Sequence, residues 1–179
     1  MAIYSLIQYS SSLICEFFLQ YPADFQFLYW DICLNFFLIL FIGYTGTADK
    51  LSIEKPRNSL FSFTNIMQII VMFLLQFAGQ ICSVIIFQET DPEYYRQFGG
   101  LDYSRERFNT DGFRTDGVES NAVFIFVNNL YLFTALAFNI SRPWRKEVFT
   151  NIPLILVTFL GIAYNTLIAV LSTSRLGLF

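Results

Sequence analysis

Apolar residues run in blocks close to the roughly 20 residues that a helix needs to cross about 30 Å of hydrocarbon. The blocks cover residues 3–21, 25–44, 62–87, 122–140 and 152–172. Polar breaks separate them at 22–24, 45–61, 88–121 and 141–151. The pattern predicts an all-α fold, an integral membrane helical bundle of five transmembrane helices. Only Pro22, Ala23 and Asp24 part the first two blocks, so a tight helical hairpin is expected there. The first block is the most polar, broken by Gln8, Ser10, Ser11, Ser12 and Glu16. Such a span is tolerable where neighbouring helices or a water-filled cavity cover its polar face.

The charges between the blocks orient the bundle. Lys50, Lys55 and Arg57 lie in one break, and Arg142, Arg145 and Lys146 face a single acid, Glu147, in another. The long segment 88–121 holds eight acids against four arginines. The positive-inside rule places both basic breaks and the N-terminus in the cytosol, with the acidic segment in the lumen or exterior. Gly99-Gly100, Asp111-Gly112 and Asp116-Gly117 punctuate that segment as turns. It reads as a solvated polar connection and has no EF-hand spacing.

Composition narrows the chemistry. The chain is 55% hydrophobic, 19% aromatic and 14% charged, where a soluble domain has about 25% charged residues. A net charge of -3 with no basic stripe argues against nucleic acid. The absence of histidine removes the commonest metal ligand and proton shuttle. Cys15, Cys33 and Cys82 stand alone in apolar runs, so neither a zinc site nor a disulfide framework is readable. The N-terminus has no basic region or small-residue cleavage pattern of a signal peptide. No P-loop, nucleophile elbow or zincin helix is present. Thr45-Gly46-Thr47-Ala48-Asp49-Lys50 contains the letters of the phosphorylation motif Asp-Lys-Thr-Gly-Thr in the wrong order. The chain alone therefore shows no catalytic apparatus, cofactor site or metal site.

What remains is a set of polar residues at bilayer depth. Asp31 sits inside the second block, and no Lys or Arg lies between Met1 and Tyr44. An acid in that position costs several kcal/mol on insertion scales, so it faces a cavity, a partner or a cation. On the first helix Tyr4, Gln8, Ser12 and Glu16 recur at i+4 and form one drifting stripe. On the second, Asp24, Phe27, Leu28, Asp31 and Asn35 share a face. If the hairpin brings the stripes together, carboxylates at Glu16 and Asp31, amides at Gln8 and Asn35, and rings at Tyr4 and Phe27 surround a narrow slot. Such a slot suits a cation that takes charge, hydrogen bonds and ring faces together. The alternative is that these acids pair with a base on a partner helix or stay protonated. Asn65, Gln68, Gln76 and Gln80, with Asn128, Asn129 and Asn165, read first as hydrogen-bonding glue between helices.

Several strings resemble the polyamine-transporting branch of the fifth class of P-type ATPases, the lysosomal type-13A pumps. Tyr4-Ser5-Leu6-Ile7-Gln8-Tyr9 looks like that family's fifth membrane helix, and Asp24-Phe25-Gln26-Phe27-Leu28-Tyr29-Trp30-Asp31 like the start of its sixth. Lys55-Pro56-Arg57-Asn58-Ser59-Leu60 resembles the basic loop before the seventh, and Glu119-Ser120-Asn121-Ala122-Val123-Phe124 the start of the eighth. Trp144-Arg145-Lys146-Glu147-Val148-Phe149-Thr150-Asn151-Ile152-Pro153 resembles the stretch before the ninth. The order and spacing of these strings make the joint resemblance specific.

The resemblance implies a C-terminal membrane portion, equivalent to the fifth to ninth helices of such a pump. It implies that Tyr4 and Gln8 line a polyamine path and that Asp31 binds an ammonium group, with Phe27 one turn before it. Glu16 departs from the family pattern, which is not acidic there. The complete pump would use ATP and Mg. This chain would lack the actuator, nucleotide-binding and phosphorylation domains and would not hydrolyse ATP by itself. The missing N-terminal part would be fused or supplied in trans, unless the chain is a truncated, split or degenerate product. The implied setting is a multi-pass protein of an endolysosomal, late endosomal or vacuolar membrane. The competing expectation is a non-catalytic accessory or vestigial membrane protein whose intramembrane polar residues only pack.

Overall fold

A computed structural model describes residues 2–48, 62–90, 92–115, 117–139 and 144–170. The basic residues Lys50, Lys55, Arg57 and Arg142, which set the orientation above, lie outside the described residues, as do Asp91 and Asp116. Among the described residues the fold is all helix with no strand. Helix α1 covers Ala2–Phe17. The second span is continuous from Asp24 to Ile42 but is built of α2 (Asp24–Leu28), a π-helical segment (Tyr29–Phe36) and α3 (Phe37–Ile42). Then follow α4 (Phe63–Thr90), α5 (Pro92–Phe98), α6 (Leu101–Asp111), α7 (Val118–Asn139), a single 3₁₀ turn (Val148–Thr150) and α8 (Ile152–Val170).

Four of these helical stretches are long and apolar enough to cross a bilayer: Asp24–Ile42, Phe63–Thr90, Val118–Asn139 and Ile152–Val170. The first segment differs from the expected 3–21. Its described helix has 16 residues, or about 24 Å of rise at 1.5 Å per residue. It stops at Phe17, and Leu19 turns the chain through a positive φ of 56°. The polar segment 88–121 is also more structured than a solvated connection. α4 runs on to Thr90, Gly99 and Gly100 part α5 from α6, and Gly112 at φ 79° ends α6.

α7 is the axis of the bundle. It packs against α1, α4, α8 and the second span. Val123, Phe124, Val127, Asn128, Tyr131 and Leu132 are all buried along it, while Phe133 and Phe138 stay exposed. Two glycines let other helices approach it closely. A Cβ at Gly79 of α4 would sit 2.7 Å from the Phe126 ring, and one at Gly161 of α8 would sit 2.9 Å from Leu132. Small residues at such crossings allow the van der Waals contact that drives association in lipid.

This axis revises the expected hairpin. α1 lies chiefly against α4 and α7, while the second span lies against α7 and α8. The short linker keeps the two helices adjacent at one end, but α7 takes the contacts that a tight pair would share.

At the end away from α5 and α6, the segment after the second span is tied down. Asn139 and Asn151 both donate their Nδ2 to the Thr45 hydroxyl, at 2.9 and 2.8 Å, and Asn151 Nδ2 also reaches the Phe41 carbonyl at 2.7 Å. Asn151 Oδ1 accepts from the Leu154 N–H at 3.2 Å, which caps the start of α8. Thr45, in the string that imitates the phosphorylation motif, is thus a buried structural hub.

Candidate functional site

The two polar stripes meet at one point. The Tyr4 hydroxyl on α1 donates a hydrogen bond to the Asp31 carboxylate. Asp31 lies in the π-helical segment, where i→i+5 bonding widens the turn; such segments occur frequently at functional sites. The acid remains exposed on its outer side. A carboxylate can accept about four hydrogen bonds, so one phenol leaves most of its capacity open.

Aromatic rings close the inner side. The Tyr4 ring lies 5.3 Å from that of Tyr131 on α7, and Trp30 lies 6.2 Å from Tyr131. Phe27 meets Trp30 edge-on at 5.4 Å. Trp30 is 1% exposed, and its indole N–H donates to Asn128 Oδ1 at 2.7 Å. This bond fixes the residue next to Asp31 against the central helix, so the direction of the acid is set by its buried neighbour.

The remaining expected residues fall at different distances from this point. Gln8 follows Tyr4 by one turn on the same stripe and is half-buried. Asn35 follows Asp31 and lines a cavity with Tyr4 and Tyr131. Glu16 is exposed and lies about 18 Å along α1 from Tyr4 at 1.5 Å per residue. The structure therefore joins Tyr4 to Asp31, sets Phe27 against Trp30, keeps Gln8 one turn from Tyr4 and leaves Glu16 at the far end of α1. Tyr131 and Asn128 of α7 also border this point; Asn128 was read as hydrogen-bonding glue, and its bond to Trp30 is such a contact, while Tyr131 was read only as part of an apolar span. The one sequence signal was the polar pair Asn128-Asn129 inside that span.

Other polar residues in the spans bond one another. Ser10 donates to Gln80 Oε1 at 3.1 Å, Gln76 to Thr134 at 3.1 Å, Tyr29 to Asn165 at 3.3 Å, and Asn165 to Asn129 at 3.5 Å. These are the interhelical contacts that the glutamine and asparagine spacing predicts.

A second acid has a different setting. Glu119, at the start of α7, is 1% exposed. Its carboxylate accepts from Gln20 Nε2 and from the Gly100 backbone N–H, both at 2.6 Å. Gln20 Oε1 in turn accepts from the Ser120 N–H at 3.1 Å. Tyr95 of α5 also hydrogen-bonds Glu119; burial first, and then the charge of Glu119, pushes its phenol above the ordinary tyrosine range. On the outer side of α6, Arg107 and Arg114 each sit 5.7 Å from the Tyr103 ring centre. Arg114 donates to the Tyr103 hydroxyl at 3.2 Å, the largest of the effects that lower that phenol's pKa. Among the described residues no group of three His, Cys, Asp or Glu side chains gathers to hold a metal ion.

No protein-family model matches the chain. Curated relatives do. The vacuolar cation-transporting ATPase YPK9 of Saccharomyces cerevisiae is 27% identical over 99% of this chain and 11% of its own length. The probable cation-transporting ATPase 13A4 of Mus musculus is 24% identical over 89% of this chain and 14% of its own. The polyamine-transporting ATPase 13A3 of Mus musculus is 24% identical over 84% of this chain and 13% of its own. The chain thus spans a small fraction of the length of these relatives. Over most of its own length its homologues, at 24–27% identity, are type 13A P-type ATPases.

Proposed function

We propose that this chain is membrane-domain structure of an ATP-driven P-type cation transporter, with a polyamine as the favoured cation. Asp31 and Tyr4, with Phe27 and Gln8 beside them, form part of the cation path between the first two spans. The observation that carries this reading is the setting of Asp31: a carboxylate within a span, held by one phenol, open on its other side, with no Lys or Arg between Met1 and Tyr44. An acid in hydrocarbon needs compensation, and a cation supplies it. The printed activities of the relatives, cation and polyamine transport, support the choice of ligand. ATP and Mg would act on other parts of the pump, fused or supplied in trans, which would also cover the open face of Asp31. The vacuolar relative supports an endolysosomal or vacuolar membrane.

The test is a type 13A pump carrying this segment in place of its own. Asp31→Asn should abolish most of the polyamine-stimulated ATP hydrolysis; undiminished stimulation would remove the site.

A second reading is favoured by the polar side chains that bond one another across the spans. In it the chain is a non-catalytic bundle, and its intramembrane polar residues serve packing alone. Polyamine would then leave its thermal stability unchanged.

A further inference from the structure

Two hollows meet at the end of α4. Within the membrane-spanning part, α1 and α4 leave a groove of about 400 Å³ between them. Leu13 and Phe17 of α1 and Phe77, Ile81 and Ile85 of α4 line it, and its walls are apolar except at Gln88. Leu13, Phe17, Ile81 and Ile85 are exposed, so the groove opens outward onto the surface that faces lipid. Beside it, α5 and α6 frame a polar hollow of about 320 Å³. Arg96, Asp102 and Tyr103 line this second hollow, and so does Gln88, which thus borders both.

Dimensions and charges select the occupant. From Phe77 to Gln88, α4 rises about 17 Å at 1.5 Å per residue. That is close to the depth of one leaflet, half of the roughly 30 Å hydrocarbon core. A further transmembrane helix would need a groove of full depth, whereas an acyl chain needs one leaflet. The polar hollow offers one basic and one acidic side chain, both exposed. A phosphate suits the Arg96 guanidinium, which can hold it through two parallel N–H donors. An ammonium suits the Asp102 carboxylate, because it has three donors and no acceptor. Glu93 stands three residues before Arg96 on α5, and Glu89 follows Gln88 on α4. These acids oppose a headgroup of net negative charge.

We propose that the two hollows form one binding site for a zwitterionic phospholipid of the leaflet next to α5 and α6. One acyl chain lies in the α1–α4 groove, the Gln88 amide donates to a glycerol ester carbonyl, and the phosphate and ammonium sit at Arg96 and Asp102. The lipid ties the α5–α6 pair to the membrane. This site shares no lining residue with the cavity at Tyr4 and Asn35, and it stands whatever Asp31 binds.

The experiment is native mass spectrometry of the full chain in detergent, titrated with dioleoyl phosphatidylethanolamine, dioleoyl phosphatidylglycerol, diolein and free phosphoethanolamine. The chain should retain one phosphatidylethanolamine saturably, at least about tenfold more tightly than the other three. Arg96→Gln should weaken it about tenfold, the effect of one hydrogen bond to a charged group. Ile81→Trp, which fills the groove, should weaken it by a similar factor. Arg96 is exposed, so its variant keeps the test open if Ile81→Trp fails to fold. Equal retention of phosphatidylglycerol would overturn the paired charges, of diolein the polar half, and of phosphoethanolamine the acyl groove. No saturable lipid, or unchanged affinity in either folded variant, would overturn the whole site. A dimer that retains no lipid, and that Ile81→Trp returns to monomers, would give the groove to a second copy of the chain instead.

Discussion

Asp31 and Glu119 are both acids on apolar helices, and their surroundings oppose each other. Glu119 is almost completely enclosed, and an amide, a backbone N–H and a phenol take up its oxygens. Asp31 is open on one side and held by a single phenol. The first joins α7 to the α5–α6 junction and to the linker after α1, so its bonds are spent on architecture. The second makes one bond, to Tyr4, and keeps the rest of its accepting capacity open. On the proposed reading, unused accepting capacity at bilayer depth, rather than burial, marks the functional acid.

Exchanging charge for an amide should break this comparison most visibly at Asp31. Asp31→Asn should lose polyamine binding by at least about tenfold, with its ligand-free melting temperature little changed. Glu119→Gln should do the reverse. Its new amide would turn a donor towards Gln20 or the Gly100 N–H and leave a buried group unpaired, at a cost of about 1–3 kcal/mol. Hydrogen exchange across α5 and α6 would report that loosening, while amine affinity stays within about twofold. Equal effects of the two substitutions on amine binding would erase the distinction.

A smaller effect is expected at Tyr95. Its phenol titrates higher in the fold than in the unfolded chain, where the value is about 10. Neutral Tyr95 thus contributes its full stability below about pH 10, and that contribution fades as pH rises through the folded value. Protection of α5 from exchange should be flat through neutrality and fall in alkali, and Tyr95→Phe should blunt the fall. The smallest effect is expected at Glu16, where Glu16→Gln should change polyamine affinity by less than about twofold, since that acid lies about 18 Å along α1 from Tyr4, the hydrogen-bond partner of Asp31. A loss matching Asp31→Asn would place Glu16 back in the path.

The all-helical membrane bundle was legible because apolar block length is set by bilayer thickness, a constraint that local context seldom overrides. The bonds made by Gln76, Gln80 and Asn165 were legible for a related reason: a lone amide in a span has few partners except other helices. The site was less so. Spacing at 100° per residue assumes an α-helix throughout, and nothing in Tyr29–Phe36 signals a widened turn. Adjacency in sequence suggested that the first two helices share their main contact, yet α1 packs on α4 and α7, and the second span on α7 and α8. Glu119 was counted among solvated acids because its partners, Gln20 and Gly100, are 99 and 19 residues away. Tyr131 carried no signal, since one tyrosine in an apolar span looks like any other core ring.

The most direct measurement is calorimetric titration of spermine into the nanodisc-embedded chain at neutral pH, beside the Asp31→Asn form. If Asp31 holds the cation, the unaltered chain should bind saturably and the asparagine form should give no saturable heat. Equal binding by both forms, or none by the unaltered chain, would contradict it.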